Sequence, residues 1–103
     1  LKLRTWRHRL LALALLAGAG TVQAADPVQG GQLYAQHCAS CHGANGISVM
    51  PGAPNFARKE RVFQADAVLL NSVKYGKNAM PGFVGMLRDQ QILDIISYIR
   101  TIR

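Results

Sequence analysis

Residues 38 to 42 read Cys38-Ala39-Ser40-Cys41-His42, and this pentapeptide constrains the chain more than any other part of it. Two thiols separated by two residues and followed at once by a histidine form the attachment site of a c-type haem. The spacing has a chemical reason. On one helical turn Cys38 and Cys41 stand at i and i+3, so their sulfurs project to the same side. Both can then bond the two vinyl groups of one porphyrin, while His42 turns its ring beneath the iron as proximal ligand. Other readings fit less well. A thioredoxin-like dithiol requires a preceding strand in a βαβ pattern, and nothing before Cys38 reads as one. All-thiolate zinc sites and iron–sulfur clusters need further cysteines, but the chain has only two. A zinc site built from Cys38, Cys41, His42 and His37 would force adjacent residues to converge on one ion. One motif implies one covalent haem and one iron.

The N-terminal stretch has a different character. Lys2, Arg4, Arg7 and Arg9 precede an apolar run, LLALALLAGA at residues 10–19, and then Gly20-Thr21-Val22-Gln23-Ala24-Ala25-Asp26-Pro27. A basic segment, a short apolar core and small residues together make a secretory signal peptide. Residues 1–24 are read as that leader. Cleavage after Ala24 puts Val22 and Ala24 at the small-residue positions, and cleavage after Ala25 is the neighbouring alternative. A permanent membrane helix needs about 20 apolar residues, so no permanent span is expected. Export to the periplasm agrees with the haem motif, because thioethers are formed on reduced thiols outside the cytoplasm. It also accounts for two cysteines without a disulfide.

The leader distorts the charge balance. The chain carries 12 basic and 5 acidic side chains, for a net charge of +7 and a pI near 10.1. Four of the basic residues and none of the acidic ones precede Ala25, which leaves +3 on residues 25–103. Haem propionates lower that further, so a nucleic-acid partner gains no support. Residues 25–103 suffice for one monohaem domain. A chain of that length supplies only a marginal core, and the porphyrin must provide much of the centre. The haem-free polypeptide is therefore expected to be largely unfolded.

The remaining segments read as helices and loops. Asp26-Pro27 is an N-cap followed by proline at the first helical position, opening a helix from about Pro27 to Gln36 or Cys38. Gly30 and Gly31 are costly inside it, which points to close packing at one of them, with a frayed first turn as the alternative. Gly30 and Tyr34 share a face with Cys38. The stretch Gly43 to Asn55 is a loop rich in glycine, proline and asparagine. A ligand histidine normally gives its other ring N–H to a carbonyl or carboxylate. Pro54 can offer that carbonyl, and Pro51 competes for the role. Phe56 and Phe63 are expected in the core or against the haem, with Arg58-Lys59-Glu60-Arg61 as a solvated turn between them. Residues 66–75 form a helix with Asp66 as candidate cap, Leu69, Leu70 and Val73 as its apolar face, and Gly76 as its stop. In the last helix Ile92, Ile95, Ile96, Ile99 and Ile102 recur at helical spacing. Asp89 serves there as N-cap or first-turn acid, and Tyr98 lies beside the stripe, within reach of Tyr34. The fold class is all-α: helices wrapped around one haem.

Three methionines compete for the second axial position. Met80 fits best, since it follows the stop at Gly76 and precedes the rigid, amide-free exit at Pro81. Met50 lies only eight residues after His42, in the loop assigned to the proximal side, and Met86 suits ordinary packing. A thioether opposite imidazole raises the haem potential and fills the iron's last position. The chemistry is then outer-sphere transfer of one electron, for which the chain needs no catalytic acid, base or nucleophile. No enzymatic activity is expected. Lys74 and Lys77 beside the Met80 loop suit docking of an acidic redox partner.

These residues together resemble the class I c-type cytochromes. The likeness rests on Gly30 and Tyr34, Cys38-Ala39-Ser40-Cys41-His42, Pro54, Met80-Pro81 and a last helix containing Tyr98. It implies crossed N- and C-terminal helices, a Pro54 carbonyl supporting His42, and Met80 completing the iron. Arg88 departs from the Ser or Thr cap common before the last helix. A finer resemblance, through LYAQHCASCHG, MPGAPNFAR and GKNAMPGF, is to the cytochromes c55X of denitrifying bacteria. It implies a periplasmic electron carrier serving cd1-type nitrite reductase, or alternatively an accessory factor in maturation of d1 haem. A haem-based ligand sensor is a third class and needs an open iron position. A monomer is expected.

Overall fold

The computed structural model describes residues 23–103, so the leader assigned to residues 1–24 falls almost wholly outside the described residues. Helix α1 spans Pro27–His37. Asp26 caps it, its carboxylate accepting from the N–H groups of Val28 (2.9 Å) and Gln29 (3.2 Å), and Pro27 occupies the first turn, where no N–H is needed. Cys38 breaks the helix at φ −120°, and a single turn, α2 (Ala39–His42), follows. A 3₁₀ turn at Phe56–Arg58, helix α3 (Asp66–Tyr75) and helix α4 (Asp89–Ile99) complete the order. Among the described residues there is no strand, only an isolated bridge between Lys77 and Met80.

The core lies where α1 crosses α4. A Cβ on Gly30 would lie 1.9 Å from the carbonyl oxygen of Asp94, so the two backbones touch there and only glycine fits. Gly31 instead faces the ring of Tyr98, which a Cβ at that position would meet at 3.1 Å. One turn on, Tyr34 is 1% exposed. Its ring packs 5.2 Å from Tyr98 and 6.3 Å from Phe56. Ile92, Ile95, Ile96 and Ile99 are buried along α4, with Ile102 just beyond. β-Branched residues cost a helix up to about 0.7 kcal/mol each, whereas burying each isoleucine returns roughly 2 kcal/mol. Packing decides the matter.

One helix start differs from expectation. Asp66 is the first residue of α3, after Ala65, so it is a first-turn acid and not the cap. Its carboxylate is taken by Arg100. Asp89 opens α4 as a first-turn acid, one of its two expected roles, and the N–H of Arg88 donates to the Gln91 side chain at 2.9 Å.

The turn between Phe56 and Phe63 is more than a solvated surface. Lys59, at φ 62°, sends its ammonium to the carbonyls of Arg100 (3.1 Å) and Ile102, where a cation suits the helix C-terminus. Glu60 accepts from the Asn55 N–H at 2.8 Å. Arg100 grips the carbonyls of Val62 (3.0 Å) and Gln64 (2.8 Å). With both carbonyls held, Val62 is buried, and Phe63, expected in the core, is 79% exposed.

Tyr34 also ties the core to the haem motif, donating its hydroxyl to the Gly43 carbonyl at 2.6 Å. Burial, then the neighbouring Cys38 and Tyr98, pushes the phenol up to about 12 from 10.0. The folded state thus favours the neutral phenol, and its contribution is complete below pH 10 and lost as pH rises towards 12. Tyr34→Phe is expected to cost about 1 kcal/mol at neutral pH and to flatten the loss of stability across that window. Denaturant midpoints against pH check this; an unchanged alkaline slope would contradict it.

Candidate haem site

Local hydrogen bonding fixes the motif before any tertiary contact does. The His42 N–H donates to the Cys38 carbonyl at 3.0 Å, closing the turn that carries both thiols. The loop then folds back, with the N–H groups of Val49 (3.0 Å) and Met50 (3.2 Å) on the carbonyl of Cys41. Gly43 permits the reversal at φ 83°, where a Cβ would lie 1.8 Å from the Ile47 carbonyl oxygen.

The loop delivers Pro54 to His42, whose Nδ1 lies 3.1 Å from the Pro54 carbonyl oxygen. A carbonyl can only accept, so this bond requires the proton on Nδ1 and leaves the Nε2 lone pair available. Phe56 stacks on the imidazole at 4.4 Å between centroids and 15° between planes. Hydrogen bond and stacking together fix the ring's orientation. Pro51 lines the neighbouring cleft.

Cys38, Cys41 and His42 open onto a cleft of about 370 Å³. Ile95 and Ile96 of α4, Leu69 and Val73 of α3, and Phe83 give it apolar walls. Helix α3 has no buried residue, and its apolar residues Leu69 and Val73 line the cleft. A flat apolar ligand there would complete the core. Burial first, and then Cys41, raises the Cys38 thiol to about 11, so it stands uncharged at neutral pH. Volume, apolar walls, paired thiols and an imidazole with a free nitrogen fit a covalently held haem.

The methionines separate. Met86 is 64% exposed and lies outside the cleft lining, whereas Met50 and Met80 both line it. Met50 is tied to Cys41 in the same loop as Pro54. Met80 comes from a different loop, closed by mutual backbone bonds between Lys77 and Met80 (3.1 and 3.0 Å). That loop is docked on the end of α3, since Phe83 and Val84 donate to the carbonyls of Val73 (3.0 Å) and Lys74 (2.9 Å). A Cβ on Gly76, at φ 77°, would lie 2.6 Å from the Met80 carbonyl oxygen, so the loop leaves no room for a side chain there.

Some of the surroundings escaped the sequence. Lys74 forms an ion pair with Asp89 at 3.1 Å, so of the two lysines proposed for docking only Lys77 stands at the cleft without that tie. Arg61 and Arg100 also line the cleft. No local pattern links Arg100 to Val62, Gln64 and Asp66, more than thirty residues away.

Residues 25–99 match the protein family described as cytochrome c oxidase, cbb3-type, subunit III. Cytochrome c6 of Thermosynechococcus vestitus is 36% identical over 94 residues, covering 86% of this chain and 82% of that one. The chain is a class I c-type cytochrome. Solved structures agree. The c-type cytochrome KustC0563 superposes with a TM-score of 0.64 at 26% identity, over 72% of this cytochrome and 96% of that chain. Cytochrome c6 of the diatom Phaeodactylum tricornutum gives 0.58 at 29%, over 72% and 90%. The all-α architecture is thus the small class I cytochrome fold, and the cytochrome's cofactor is one covalently bound haem c with its iron.

Proposed function

We propose that this cytochrome is an exported, soluble one-electron carrier whose iron is held between His42 and Met80. Haem c supplies reversible one-electron chemistry at its iron. The chain's part is to anchor it through Cys38 and Cys41, to orient the His42 ring through Pro54 and Phe56, to bring Met80 from a separate loop, and to exclude water with α3 and α4. The observation that carries the reading is the pairing of an imidazole fixed through Nδ1 with a methionine from a different loop at one cleft. Two protein ligands leave no open coordination position, which favours outer-sphere transfer over catalysis or gas sensing.

Residues 23–26 are exposed and without regular structure, which suits removal of residues 1–24 or 1–25 on the way to the periplasm. The described residues form no helix long and apolar enough to cross a membrane. For the partner we propose cd1-type nitrite reductase in denitrification, on the c55X-like sequences at residues 33–43, 50–58 and 76–83. Lys77 at the cleft suits an acidic docking surface. Reduced cytochrome mixed with purified nitrite reductase is expected to be reoxidised within the enzyme's turnover time. Failure with active reductase, together with loss of d1 haem in a deletion strain, would instead favour the maturation role. Ready binding of carbon monoxide by the reduced protein at neutral pH would overturn closed coordination.

A further inference from the structure

Asp94 is an acidic side chain in the core, 7% exposed, on the turn of α4 that meets Gly30. Its side-chain partners are neutral: Oδ1 accepts from the Asp26 N–H at 2.8 Å and from the Gln90 amide at 3.1 Å. The two ion pairs among the described residues, Lys74–Asp89 and Arg100–Asp66, leave it out. A buried carboxylate without a cation is costly, because its charge has lost water and gained no counter-charge. The positive end of α1 accounts for only part of the balance.

The position of one donor in the sequence bears on this imbalance. The Asp26 nitrogen belongs to the peptide bond joining Ala25 and Asp26, one of the two bonds read as leader cleavage points. Hydrolysis by a leader peptidase adds one water across that bond. The carboxylate leaves with Ala25 on the released leader, and the Asp26 nitrogen becomes an α-ammonium at the same position. Cleavage one bond earlier puts the ammonium on Ala25, whose Cα is about 3.8 Å from that of Asp26.

We propose that Asp94 is the docking site for the processed N-terminus, so that leader removal brings an α-ammonium to a carboxylate whose other partners are neutral and fastens α1 to α4 with an ion pair. The proposal rests on the export reading. The other charged group at this point is the Asp26 carboxylate, already accepting from Val28 and Gln29. Tyr34 and Tyr98 are the further titratable groups along the crossing, Gln90 and Ser97 are uncharged, and none of these supplies a cation.

The intact mass of exported holoprotein locates the chain end first. A retained leader overturns both the export reading and this one. With the leader removed, the rate of N-terminal reductive methylation against pH reports the ammonium directly. Its pKa is expected about one unit above the ordinary 7.7–8.0, a tenfold gain in proton affinity. Asp94→Asn, which keeps an amide oxygen for the hydrogen bond, is expected to restore the ordinary value. A folded pKa raised in this way gives stability that is full below the ordinary value and lost as pH rises through the folded one. N-terminally acetylated holoprotein, which leaves the core untouched, is therefore expected to show about a tenfold larger unfolding constant than the free form near pH 6 and an equal one near pH 10. That comparison decides the question if the Asn variant does not fold. An ordinary ammonium pKa in the wild type, or equal stability of both forms near pH 6, overturns the proposal while leaving leader removal intact.

Discussion

Replacing Met80 by alanine is expected to leave both thioether bonds in place, so the protein's mass still includes haem while its iron loses a ligand. The methionine loop is held by contacts that do not involve the side chain: the mutual Lys77–Met80 backbone bonds and the docking of Phe83 and Val84 on α3. Alanine therefore removes sulfur without unmaking the loop. Thioether sulfur favours ferrous iron, and axial ligands move haem potentials over about 0.8 V. The potential is expected to fall by on the order of 0.2 V, a quarter of that range. The weak sulfur-to-iron charge-transfer band should vanish, and reduced protein should now bind carbon monoxide. Potentiometry with the oxidised spectrum checks the outcome. If the same loss follows from changing Met50 or Met86 while Met80→Ala keeps the band, the ligand assignment fails.

Gly30→Ala is the second large effect, and it acts on the fold. Alanine gains up to about 1 kcal/mol of helix propensity over glycine. Against this stands a Cβ 1.9 Å from the Asp94 carbonyl oxygen and 2.4 Å from its carbon. Backbone cannot rotate away as a side-chain tip can, so α1 and α4 must part. Overpacking of this kind costs roughly 1–3 kcal/mol, occasionally more, and here the upper end applies: a net loss of about 2 kcal/mol or more from a domain too small to spare it. Ile95 and Ile96 move with α4, so the cleft deforms and less haem should be attached during expression. Gly31→Ala provides the comparison. Its neighbour is the Tyr98 ring at 3.1 Å, which can shift by a few tenths of an ångström, and the loss should be much smaller. Guanidinium unfolding of the two holoproteins tests the contrast, which fails if Gly31→Ala is the more damaging change.

How much was legible depended on whether a residue's reason lay near it in sequence. The haem motif, the Asp26-Pro27 helix start, the stop at Gly76 and the isoleucine stripe were all readable, because a helical turn brings i, i+3 and i+4 together whatever the rest of the chain does. The pairing of Tyr34 with Tyr98 followed from two such faces having to bury each other. Phe63 was misjudged because hydrophobicity alone gives an aromatic side chain no direction. That direction was set by Arg100, holding the carbonyls on either side of it. Asp66 looked like a cap for the same local reason and was claimed by the same arginine. Asp94 gave no sign at all: polar groups are exposed by default, and its burial comes from the close approach that Gly30 allows.

By itself, then, the sequence determined the covalent chemistry, the helices and their buried stripes, since each depends on bonds and periodicities a few residues long. Tertiary structure alone decided which glycine is indispensable, which phenylalanine faces water, where Lys59, Asp94 and Arg100 find their partners, and that α3 keeps an apolar face open on the cleft. Those outcomes turn on distances between segments thirty to seventy residues apart, and only the packed chain sets such distances.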